Sequence, residues 1–148
     1  MAEQDKESST PKFSFTIRRL NESSSRLARL SDQNRIRDVE EIWEAYCDVE
    51  EAIAISNFKL GVFDRVGKTR KLTISFKDDP SKMPEQDLRK RFISIESNLS
   101  AAKENFEKGM GDEGAELARR ARDDLKKMLI GHEKSNKSAK NVRTSYSR

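Results

Sequence analysis

At 148 residues the chain has room for one domain with a real core, and its 34% hydrophobic and 38% charged residues suit charged helices better than a thick sheet sandwich. No apolar run approaches the roughly 20 residues of a membrane span, and one histidine with one cysteine excludes both an internal disulfide and a zinc shell of nitrogen and sulfur ligands. The net charge of +4 sits in residues 132–148, where Lys134, Lys137, Lys140, Arg143 and Arg148 face only Glu133, so residues 1–131 carry 25 charges of each sign.

Residues 1–12 lack apolar surface to offset the entropy of ordering and read as a flexible leader, with no apolar signal core. A cytoplasmic location is the expectation. Between Phe13 and Leu30, Phe13, Phe15 and Ile17 alternate like a strand, while Ile17, Leu20, Leu27 and Leu30 recur at helical spacing. The spacing predicts a helix from about Phe15, weakened at Ser23, Ser24 and Ser25, whose hydroxyls compete for backbone hydrogen bonds. Ser31 or Asp32 is the expected cap of a second helix that runs to about Asn57, on a stripe of Ile36, Val39, Ile42, Trp43, Tyr46, Val49 and Ile53. Its other face is acidic, from Asp38 to Glu51.

From Phe58 to Asp79 the helical period fades. Leu72, Ile74 and Phe76 alternate with polar residues, which predicts a short β-hairpin at 59–77 turning at Val66–Lys68, although Leu60 and Phe63 also fit a longer second helix. Pro80 and Pro84 close this segment, and Glu85 and Asp87 put negative charge in the first turn of a third helix. Its stripe, Leu88, Phe92, Ile95, Leu99, Ala102 and Phe106, keeps steps of four and three. Gly109 and Gly111 break it, Asp112 caps the next helix, and Ala118, Ala121, Leu125 and Met128 continue the pattern to Gly131. The composition of 132–148 predicts a disordered basic tail. The fold class is therefore mainly α: an antiparallel bundle of three to four helices over residues 13–131.

Motifs with chemistry are thin. Gly67, Lys68 and Thr69 resemble the end of a phosphate-binding loop, but its first glycine would stand at position 62, where the chain has Val62. Glu41, Glu44, Asp48 and Glu51 share a helix face, yet carboxylate metal sites of helical bundles add histidine at fixed spacing and none occurs here, which leaves a solvated or arginine-paired face. Cys47 reads as a packing residue, and His132 as a cation at a helix end. No cofactor, metal or catalytic set is expected. The pattern points to a non-enzymatic interaction module with a protein partner or a second copy of itself. The alternative is an accessory RNA-, DNA- or ribosome-binding protein, whose candidate phosphate contacts are Arg65, Lys68, Arg70, Lys71, Lys134, Lys137, Lys140 and Arg143.

Overall fold

The computed structural model describes residues 11–61 and 72–146, with side chains as far as Lys137 in the last helix. A 3₁₀ turn at Pro11–Phe13 leads into four helices: α1 (Ser14–Asp32), α2 (Val39–Leu60), α3 (Glu85–Glu107) and α4 (Gly111–Tyr146). Among the described residues there is no strand.

Helix α1 buries Thr16, Leu20, Ser23, Leu27 and Leu30, at steps of four and three. Its two small polar members are packing residues: Thr16 Oγ1 donates to Ala52 O at 3.5 Å and Ser23 Oγ to Ala45 O at 2.9 Å. Small groups on both helices, seven residues apart on each, bring α1 and α2 close. The serines expected to weaken α1 thus include one that ties it to its neighbour. The cap of α2 is neither Ser31 nor Asp32, because α1 runs on through Asp32 and the chain reverses at Asn34, in left-handed backbone at φ 55°. Asp38 takes the role and accepts the Glu41 amide at 3.2 Å. Gly61, at φ 71°, ends α2 in the conformation that favours glycine.

Neighbouring helices all run antiparallel. Thr16 meets Ala52 while Arg26 meets Glu41; Lys103 reaches Asn21 while Arg89 reaches Asn34; Gly114 lies against Phe106 while Asp124 lies by Arg91. Arg122 meets Glu50, so α2 and α4 are antiparallel as well. The square therefore runs α1, α2, α4, α3, and α2 stands diagonal to α3 and parallel to it. The start of α3 consequently lies at the opposite end of the bundle from Leu60, and residues 72–84 form the return segment that leads into it. Among the described residues twenty-two hydrophobic side chains fill the centre, including Leu20, Ile42, Phe92, Leu99, Phe106 and Leu125.

The return segment docks on α4. Phe76–Asp78 form a 3₁₀ turn in which Ser75 Oγ accepts the Lys77 amide and Asp78 Oδ2 accepts the Ser75 amide. Arg37 donates to Pro80 O and Met83 O, each at 2.8 Å. Gly131 makes the seat, since a Cβ there would lie 2.9 Å from Asp79 N and 3.0 Å from Asp78 C and Ser75 O. Asp79 is fully buried; its Oδ1 accepts Ser81 N, Ser81 Oγ and, at 2.9 Å, the His132 Nδ1 proton.

Three expectations change. The hairpin at 59–77 is not formed where it is described: Lys59 and Leu60 belong to α2, 62–71 lie outside the described residues, and the capped 3₁₀ turn replaces a strand at Phe76. Gly131 does not end a helix. The basic segment expected as a disordered tail continues α4 from His132 to Tyr146, with His132 and Ser135 beside the docked segment.

Candidate interaction groove

The first two turns of α2 and the turns of α4 that oppose them leave an apolar groove on the outside of the bundle. Val39, Trp43 and Tyr46 line it from α2, Leu129 and Ile130 from α4, and its cavity measures about 530 Å³. Trp43, expected in the core, is 51% exposed instead. Its place follows from helical geometry: the buried face of α2 is Ile42, Ala45, Val49, Ala52 and Ile53, and a residue next to Ile42 points about 100° away from it. Trp43 packs on Tyr46 with ring centroids 5.5 Å apart and planes tilted by 33°. Tyr46 donates its hydroxyl to Glu50 Oε2 at 3.1 Å, and Arg122 from α4 holds the other oxygen of that carboxylate at 3.4 Å. Burial, then the adjacent Glu50 charge, pushes the Tyr46 hydroxyl up to about 12, so it stays a neutral donor. Tyr46 is therefore tied through Glu50 to α4 while Trp43 beside it is half exposed.

Charge on the rim leans acidic. Glu40, Glu44 and Glu133 stand around the groove with Lys126, and Lys137 reaches Glu133 along α4 at 3.1 Å. The rest of the acidic face of α2 is turned elsewhere: Glu41 and Asp48 meet Arg26, and Glu51 meets Arg19, at 2.9, 3.7 and 3.3 Å. The run Glu41, Glu44, Asp48, Glu51 is thus split between an arginine-paired seam and the groove. Among the described residues no three His, Cys, Asp or Glu side chains gather as a metal shell would.

A second cleft, of about 750 Å³, lies where the return segment meets α3; Phe76, Lys77, Lys82, Lys90 and Arg91 line it with Asp78, Asp87 and Asp124. Arg91 pairs with Asp78 at 3.1 Å. Burial raises the Asp124 carboxyl, against the pull of Arg91 and Lys127. Cys47, beside the groove, is a poor nucleophile, since burial and then the carboxylates of Glu44, Asp48 and Glu50 raise its thiol. His132 spends one ring nitrogen on Asp79, and the other lies 3.2 Å from Asn136 Nδ2.

Of the basic residues proposed to meet phosphate, Arg65, Lys68, Arg70 and Lys71 lie outside the described residues. Lys134 donates to Ile74 O at 3.3 Å and Lys137 pairs with Glu133, so both engage the chain itself. Lys140 and Arg143 fall on the last turns of α4, beyond the described side chains. No protein-family model, curated protein or solved structure matches the chain. Its own geometry carries the argument. No helix of the described residues is long and apolar enough to cross a membrane.

Proposed function

We propose that the chain is a non-enzymatic helical interaction module that receives a segment of another protein in the α2/α4 groove. The exposure of Trp43 beside the tied Tyr46 carries this reading: a large aromatic ring left half in water at a concave apolar site is the usual form of an anchor for a partner. A photo-crosslinking residue installed at Trp43 tests it in cells, with Ile93, 66% exposed on α3, as the control position. A discrete adduct from position 43 and none from 93 is expected. No adduct at 43, or the same smear from both positions, would remove the reading. Light scattering over a concentration series separates a self-associating chain from one whose partner is a different protein.

A second reading, contact with RNA or DNA, is favoured by the other cleft, where Phe76 is 59% exposed among Lys77, Lys82 and Lys90. Binding to mixed RNA and to duplex DNA at two salt concentrations, with and without residues 138–148 and with Lys77→Glu and Lys82→Glu, tests it. Binding that is absent, or unchanged by these alterations, would discard it.

A further inference from the structure

The groove's shape and charge say more about what fits it. Along α2 it runs from Val39 to Tyr46, about 10 Å of helix axis or two turns, and α4 matches that length from Glu133 back to Lys126. Two antiparallel helices with an apolar furrow between them fit a third helix, whose side chains at i, i+3, i+4 and i+7 would fall between Trp43, Tyr46, Leu129 and Ile130. The rim then selects for charge: Glu40 and Glu44 from the α2 side would flank such a helix, while on the α4 side Glu133 is paired with Lys137 and Lys126 is the one cation lining the groove among the described residues.

We infer that the occupant is an amphipathic helix with a narrow apolar stripe flanked by lysine or arginine. The inference rests on the proposed interaction role and gives it a partner chemistry. Two copies of this chain meeting groove to groove do not satisfy it. A two-fold pairing sets the patch against its own copy, residue i of one meeting residue j of the other, so it would gather two sets of Glu40, Glu44 and Glu133 against two of Lys126 and Lys137 and keep an excess of negative charge at the interface. The partner is therefore a basic helix of a different surface, and its charge both steers the encounter and sets its register on the rim.

Trp43, the only tryptophan of the chain, supplies the readout. Two model peptides of about 18 residues, long enough to form helix on docking, carry the same leucine stripe; one has lysine flanks and the other glutamate flanks. Each is titrated into the full chain while Trp43 emission is followed, and calorimetry covers variants that lack the tryptophan. The lysine peptide is expected to shift Trp43 emission to the blue and to bind at least tenfold more tightly than the glutamate peptide, with that ratio shrinking as salt rises. Glu40→Lys with Glu44→Lys, both exposed positions, should invert the preference, and Trp43→Ala should weaken the lysine peptide at least tenfold.

Equal binding of the two peptides, or lysine-peptide binding that ignores Trp43→Ala, overturns the inference. So does failure of both peptides to bind. In that last case an adduct at position 43 in cells would still support an interaction module with a partner of other chemistry, whereas no adduct and no peptide binding would remove both.

Discussion

Replacing Gly131 by alanine sets two well-known effects against each other, and the docked return segment decides the sign. On helix propensity alone, alanine inside α4 should stabilise the protein by about 1 kcal/mol. The added methyl, however, would stand 2.9 Å from Asp79 N and 3.0 Å from Asp78 C and Ser75 O, all backbone atoms that no rotamer change can move. Overpacking of that kind costs about 1–3 kcal/mol, and the segment it displaces also carries the buried Asp79 with its bonds to Ser81 and His132. The expected result of Gly131→Ala is a net loss of roughly 1 kcal/mol, read as a lower denaturant midpoint with an unchanged slope. Hydrogen exchange should show faster exchange at the amides of Asp78 and Asp79, with the α1/α2 interface unaffected. A gain of stability with unchanged exchange would refute the idea that Gly131 seats the segment.

Other predictions concern the same framework. Asp79→Ala leaves the Ser81 and His132 donors unmet and should cost about 1–3 kcal/mol near neutral pH. Burial pushes the Asp79 carboxyl up, but the bonds from Ser81 and His132 outweigh it and hold the group below its ordinary value. Its contribution is therefore complete above the unfolded value near 3.9 and disappears as pH falls through the lower folded one; denaturation of both proteins across the acid range should show the difference closing there. Asp38→Ala should lose about 1 kcal/mol with the α2 cap, measurable by thermal unfolding. Ser23→Leu should cost about 1–3 kcal/mol by forcing α1 from Ala45, while Trp43→Ala, at a half-exposed site, should stay within about 1 kcal/mol in the same assay.

The bundle was legible wherever one helix face is apolar and regular. Leu88 to Phe106 and Ala118 to Met128 are buried as their spacing requires, because a stripe at steps of three and four has few ways to leave water. Trp43 was misplaced because the stripe of α2 was assembled from large residues. Ala45 and Ala52 are the true centre of that face, and counting them turns Trp43 and Tyr46 into a flank. Gly131 after an apolar run looks like a helix end by any local rule, and its role depends on backbone some 50 residues earlier in the chain. Ser23 and Ser135 are buried for the same non-local reason, facing Ala45 and the return segment. The groove itself was not legible, since it is made by two helices whose pairing the pattern does not specify. The basic residues held the reverse difficulty: their charge is plain in the sequence, but Lys134 and Lys137 turn out to engage Ile74 and Glu133.

The diagonal placement of α2 and α3 makes the molecule two halves in chain order. Helices α1 and α2 close through a six-residue turn, and α3 and α4 through a three-residue one, so each pair can assemble from local contacts before the other exists. Every remaining interface, α1 on α3 and α2 on α4, joins one half to the other. Their union in one chain raises the effective concentration of each half for the other. Fragments 1–61 and 62–148, mixed in solution, would thus be expected to complement each other, rebuilding the bundle as a two-chain protein.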